Sequence, residues 1–317
     1  MEAATLNINP FNEEKEYFEV APGVWGMKII FVNIYMISIG NANEWVLVDA
    51  GLKGFAGKIE EMAADLFGEN NPPTAIILTH GHFDHIGAIK QLSQIWEVPV
   101  YAHPLELPYL TGLSAYPPPD PTVGGGLMSL MSVLYPKKPI DLGKQVHALP
   151  ENGSVPFLPE WIFIFTPGHA PGHISLWRKR DKLIIAGDAF VTTQQESAFS
   201  VATQKRLVSG PPKYFTPDWI EAAASVKKLR DLHPAVAATG HGKPMYGQEL
   251  TEGLDNLVQN FEELAVPNQG RYVKEPAKAN KRGVQYVPPE QFNPLMAASV
   301  AGILALGIYA LIKKAKK

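Results

Sequence analysis

The chain has 317 residues, 46% of them hydrophobic and 19% charged, which is enough to bury a large core. Its net charge of -3 leaves no basic excess, so composition offers no electrostatic footprint for a nucleic-acid partner. The absence of cysteine excludes disulfides, thiolate metal sites and a cysteine nucleophile, leaving nitrogen and oxygen to hold any metal.

Residues 1–16 are polar and acidic and lack the basic-then-apolar order of a secretory signal, so a cytoplasmic catalytic domain is expected. Two β-rich runs, 27–39 and 45–49, flank the turn-like Gly40-Asn41-Ala42-Asn43 and read as a hairpin. A helical pattern over 54–66 stops before Pro72-Pro73, and a buried strand follows at 75–78. The pattern then gives a helix over 88–96 and a strand over 98–102, and this alternation predicts an α/β fold.

Residues 104–142 differ in texture, with Pro117-Pro118-Pro119, Pro121, Gly124-Gly125-Gly126 and an apolar segment at 127–135. This reads as an inserted loop with a small helix, placed either as a lid forming the wall of a pocket or as a patch on the core. Three apolar strand-like runs follow, at 161–165, 183–186 and 235–239. The globular domain is expected to span 1–268, followed by a Lys-, Pro- and Gln-rich linker over 269–294. Residues 295–312 then carry no charge, and 313–317 form a basic tail. At about 1.5 Å per residue that apolar stretch reaches roughly 27 Å, close to a hydrocarbon core of about 30 Å. A single C-terminal membrane-spanning helix is therefore expected.

The chemistry concentrates in Thr79-His80-Gly81-His82-Phe83-Asp84-His85, which places four potential metal ligands within six positions after a buried strand. A lone histidine is ordinary in a core, but burying this many ionisable groups is costly without a cation. Each later apolar run also ends at a candidate ligand: Thr166-Pro167-Gly168-His169, Gly187-Asp188 and Gly240-His241. Carboxyl ends of strands are where α/β folds place their sites, because loops there converge while the sheet stays rigid. Seven such groups exceed the needs of one tetrahedral zinc and suffice for two.

These residues resemble the metallo-β-lactamase-fold hydrolase superfamily, with its HxHxDH signature and later His, Asp and His. The run Thr166-Pro167-Gly168-His169-Ala170-Pro171-Gly172-His173 is similar to the glyoxalase II and lactonase-like branch. The resemblance implies a four-layer αβ/βα sandwich holding two zinc ions, with iron or manganese as alternatives. It implies His80, His82 and His169 on one metal, Asp84, His85 and His241 on the other, and Asp188 between them. Neutral imidazoles keep such metals Lewis-acidic, and a shared water becomes hydroxide near neutral pH. Asp84 is the implied catalytic residue, orienting that nucleophile and passing a proton to the leaving group. His173 is expected to brace its loop, and Asp49 resembles a buried aspartate that steadies the ligand loop. Tyr214 is either an oxyanion donor or a packed tyrosine, while His103, His147 and His233 have no ligand-like spacing.

The expected reaction is hydrolysis of a small ester, thioester or lactone. β-Lactam cleavage stands lower, because class B enzymes act outside the cytoplasm and need a signal sequence. RNA-cleaving relatives carry a large inserted domain with no counterpart here, and oxygen-reducing relatives commonly have an acidic residue where His82 stands. The insertion at 104–142 departs from glyoxalase II spacing and suits an acyl-chain substrate. A non-enzymatic, membrane-tethered scaffolding member is the competing class, and degenerate members of that kind lose ligands, whereas all seven are present.

Overall fold

The computed structural model describes residues 16–40 and 43–290. The first sheet begins with β1 (Tyr17–Ala21), β2 (Val24–Ile29), β3 (Val32–Ser38) and β4 (Trp45–Val48), an antiparallel meander. Then α1 (Ala56–Phe67) crosses over to β5 (Ala75–Ile77) and α2 (Ile89–Trp96) to β6 (Val100–Ala102). Because a crossover returns the chain in the same direction, β4, β5 and β6 run parallel. The insertion supplies α3 (Leu107–Leu110) and α4 (Leu127–Met131) before β7 (Val146–Ala148) completes seven strands in chain order.

The second sheet has five strands: β8 (Trp161–Phe165), β9 (Ile174–Arg178), β10 (Leu183–Ile185), β11 (Val236–Ala238) and β12 (Met245–Tyr246). Its parallel pair, β10 and β11, is joined through α5 (Ala198–Thr203) and α6 (Trp219–Arg230). The helices α7 (Gly247–Gln259) and α8 (Phe261–Leu264) follow.

Three buried clusters define the layers. One joins Ile59 and Met62 of α1 and Leu92 of α2 to Met27, Ile34 and Leu47 of the first sheet. The second lies between the sheets, where Tyr35, Ile37, Val46 and Val48 meet Ile174, Leu176, Leu183 and Ile185. The third packs Val226 and Leu229 of α6 and Leu250 and Leu254 of α7 on Ile184 and Ala237. Sheet residues therefore alternate between a helix-facing and a sheet-facing core, the pattern expected of strands covered on both faces. This is the mixed α/β arrangement expected from the sequence, with helices outside two facing sheets.

Two local expectations differ from the structure, and a third falls outside it. The run 27–39 is two strands, because Ile30 adopts a left-handed φ of 57° and reverses the chain between Ile29 and Val32, a two-residue turn without the usual Asn-Gly signal. The stretch at 269–290, read as linker, is packed on the domain. It forms the hairpin β13 (Lys278–Asn280) and β14 (Gly283–Tyr286), Tyr272 is buried, and the Val284 amide donates to the Ser114 hydroxyl. The expected C-terminal helix at 295–312 lies outside the described residues, and among the described residues no helix is long and apolar enough to cross a membrane.

Candidate metal centre

All seven residues singled out from the sequence come together at the carboxyl ends of β5, β8, β10 and β11. Their ligand-type atoms form three overlapping groups, His80–His82–His169, His80–His85–Asp188 and Asp84–His85–His241, with the atoms of each group within 4.8 Å of one another. All seven side chains are buried.

The rings of His85, His241 and His169 are aimed inward by a partner on the other nitrogen. The Asp49 carboxylate lies 2.8 Å from His85 Nδ1 and accepts from both the amide and the hydroxyl of Thr79, which fixes the ring and the start of the ligand loop together. His241 Nδ1 lies 2.7 Å from the Phe31 carbonyl, and His169 Nδ1 faces the Thr216 hydroxyl, itself donating to the Pro212 carbonyl. The inward atoms crowd one another: His82 Nδ1 is 2.9 Å from His169 Nε2, and His241 Nε2 is 3.0 Å from Asp188 Oδ2. Asp188 spans the cluster, with Oδ2 also 3.4 Å from His169 Nε2 and Oδ1 3.6 Å from His85 Nε2.

His173 plays a different part. Its Nε2 accepts the Asp188 amide at 2.9 Å, so Nδ1 carries the proton and donates to the Thr166 hydroxyl at 2.9 Å. Both nitrogens are committed, and the ring holds the Asp188 backbone in place rather than facing the cluster. Two glycines make room for this packing. A Cβ on Gly187, at φ 55°, would stand 2.6 Å from His173 Nε2, and one on Gly240 would overlap Asp188 Oδ1.

Burial, reinforced by the neighbouring imidazoles, pushes His80 and His169 well below the ordinary histidine range and His82 down to about 3. These rings are neutral, as ligands must be. Burial opposes protonation of His85 and His241 too, but the carboxylates beside them raise both, while His241 and His85 hold Asp188 well below the carboxylate range against its own desolvation. Within this cluster His80 Nε2, His85 Nε2 and Asp188 Oδ1 are buried with no hydrogen-bond partner. Such atoms are expensive unless a cation satisfies them. A cysteine-free set of imidazole nitrogens and carboxylate oxygens suits zinc or iron, so the residues fit a metal centre.

One residue escaped the sequence reading. Glu106 is fully buried and ties the two ligand loops together: Oε2 accepts the Gly81 amide at 2.9 Å, Oε1 accepts the Gly172 amide at 2.6 Å, and the Tyr116 hydroxyl donates to the same carboxylate. Burial lifts its carboxyl to about 7, and those three hydrogen bonds oppose the rise. Nothing in Leu105-Glu106-Leu107-Pro108 marks it, because the amides it joins are 25 and 66 residues away.

Beside the centre lies a cavity of about 350 Å³ with Gly81, His82, Phe83, Tyr116 and Phe215 in its wall. Phe215 stacks on the His82 ring at 4.6 Å and Tyr116 leans on it at the same distance. The insertion does wall this cavity, through Pro117, Pro119 and residues 136–140, but not through 127–135 as expected. There Met128 is buried against Val123 and Tyr214, while Leu127, Met131 and Leu134 are 47%, 37% and 58% exposed. Tyr214 is thereby a packed tyrosine and does not line the cavity. His103 stacks on Phe165, and His147 and His233 are exposed, as their spacing suggested.

Comparison with known proteins gives a consistent picture. The family described as the metallo-beta-lactamase superfamily matches residues 28–241. The probable metallo-hydrolase YflN of Bacillus subtilis is 47% identical over 78% of this chain and 94% of that protein. The probable metallo-hydrolase YybB of the same organism is 27% identical over 67% of this chain and 82% of its own length. Among solved structures, the BLEG-1 B3 metallo-beta-lactamase is 26% identical with a TM-score of 0.51, covering 70% of this chain and 92% of that one. A metallo-beta-lactamase family protein from Thermus thermophilus shares the fold at 20% identity and a TM-score of 0.52, over 77% of this chain and 81% of that one.

Proposed function

The chain belongs to the metallo-beta-lactamase superfamily of metal-dependent hydrolases, and from that premise we propose that it is a dinuclear enzyme hydrolysing a small ester, thioester or lactone. The observation that carries this reading is the Asp188 carboxylate, which reaches the histidines of both groups, Oδ2 toward His169 and His241 and Oδ1 toward His85. In it His80, His82 and His169 would hold one metal and Asp84, His85 and His241 the other, with Asp188 available to both; zinc is the metal proposed.

When bound, the metal pair supplies Lewis acidity and lowers the pKa of a water molecule into the neutral range. The protein's own contribution is position and proton handling. Asp49 fixes His85 through Nδ1, leaving Nε2 toward Asp188, and the Phe31 carbonyl fixes His241. Asp84, whose Oδ2 lies 3.6 Å from His241 Nε2, is the group proposed to orient the attacking water and hand its proton to the leaving group. Phe83, Phe215 and the prolines of the insertion set an apolar wall beside the centre, and a substrate filling the cavity would displace water from that side and strengthen each of these interactions.

A panel of purified-protein assays separates the substrate classes. Esters, thioesters and lactones with acyl chains should turn over, and β-lactams should turn over far more slowly. A β-lactam preference would replace the present reading with the lactamase one, and a metal-loaded protein inert to all four classes would favour a non-enzymatic role.

We also propose that residues 295–312, uncharged over their whole length, attach the enzyme to a membrane with the catalytic domain on the cytoplasmic side. The full chain should sediment with membranes, and a chain ending at Pro294 should not. Recovery of both in the soluble fraction would refute the attachment.

A further inference from the structure

The cavity beside His82 has two chemically distinct parts. Ile30, Leu52, Phe55, Phe83, Ile86 and Ile140 give it an apolar wall, and its volume of about 350 Å³ falls within the usual range for small-molecule sites. Lys53, Lys137 and Lys138 line the same cavity, and no aspartate or glutamate does. None of these three lysines takes part in an ion pair among the described residues. All three lysines are exposed, and cations of one sign beside an apolar cavity raise the local concentration of anions. Lys137 and Lys138 lie between Pro136 and Pro139, whose rings restrict the backbone that carries them beside the cavity. The third cation, Lys53, comes from the opposite part of the sequence, just after β4 and next to Leu52 of the apolar wall.

We propose that the substrate is an amphipathic acyl compound whose apolar chain fills this cavity and whose anionic group, a carboxylate or a phosphate, is recognised by Lys53, Lys137 and Lys138. The inference rests on the hydrolase reading for the position of the scissile carbonyl beside His82, but the recognition itself depends only on the cavity. The anion has two sources to choose between, the distal end of the acyl chain and the leaving group. Both present the same chemistry to the lysines.

Two matched substrate pairs distinguish the sources in the metal-loaded full chain. Mono-(4-nitrophenyl) suberate against 4-nitrophenyl octanoate places the charge on the acyl tail, and octanoyl-coenzyme A against the octanoyl thioester of N-acetylcysteamine places it on the leaving group. In at least one pair kcat/KM should favour the anionic member by about tenfold at low ionic strength, fall toward parity as salt is added, and lose its preference when Lys53, Lys137 and Lys138 are all changed to Gln. Binding of 1-octanesulfonate, a poor metal ligand, against 1-octanol measured by calorimetry reads the same recognition without turnover. Lysine-dependent binding of the sulfonate alongside inert esters would sink the hydrolase reading and leave this inference standing. Equal binding of sulfonate and alcohol, a preference that survives the triple substitution, or preference for the neutral member in both substrate pairs would overturn it.

Discussion

Replacing Asp188 with alanine is expected to lower kcat by on the order of 10³-fold or more, because it removes the one carboxylate that touches both halves of the cluster. Asp188→Asn tests the same point with the shape kept. It retains an oxygen but loses the negative charge that raises His85 and His241. His173→Ala provides the contrast. His173 holds the Asp188 amide through Nε2 and Thr166 through Nδ1, so its loss loosens the loop that carries Asp188 and leaves the seven inward-facing residues in place. The expected effect is a drop of about 10- to 100-fold in metal affinity, with turnover recovering when metal is supplied in excess. Steady-state kinetics at several metal concentrations separate the two behaviours. Near-normal turnover by Asp188→Ala with both metals bound would mean that the carboxylate is not shared.

Much of this centre was legible because its residues are anomalous where they stand. Four ionisable side chains packed into positions 80–85 behind a buried strand have no comfortable apolar explanation, and each of His169, Asp188 and His241 closes an apolar run in the same way. Strand ends can be read from local pattern, so convergence at one edge of the two sheets followed. Asp49 was assigned through the resemblance to the family's buried aspartate, not from local pattern alone. Glu106 was not legible, since a single glutamate between leucines looks like a solvated helix residue until two distant loops fold against it. The turn at Ile30 carries no glycine or asparagine to announce a left-handed φ, and β13 and β14 lack an apolar alternation because they pack by a few contacts rather than by a buried face. In the insertion, hydrophobicity misled. Its most apolar stretch, 127–135, leaves Leu127, Met131 and Leu134 exposed and stays out of the cavity, which the insertion walls with prolines and lysines whose sequence texture suggests only a loop. Periodicity reports which residues seek burial, whereas a functional wall is selected for shape and charge.

Removing the metal is expected to change stability as well as activity. Three buried polar atoms, His80 Nε2, His85 Nε2 and Asp188 Oδ1, have no hydrogen-bond partner among the described residues, and burial together with the neighbouring imidazoles keeps a proton from taking a metal's place on His80. Binding therefore stabilises the folded state alone. With free metal near 1,000 times the dissociation constant, linkage gives about 4 kcal/mol for each site. For a domain of this size each kcal/mol moves the melting temperature by roughly 2–4 °C, so two filled sites should raise Tm by about 15 °C or more over chelator-treated protein. Elemental analysis of protein purified without chelator should find close to two equivalents per chain, and titration of stripped protein should restore Tm and hydrolysis over the same range of added metal. The dinuclear reading requires the two curves to rise together beyond one equivalent. A plateau at one equivalent in both would leave a single site, and an unchanged Tm on chelation would show that the buried cluster is satisfied without a cation.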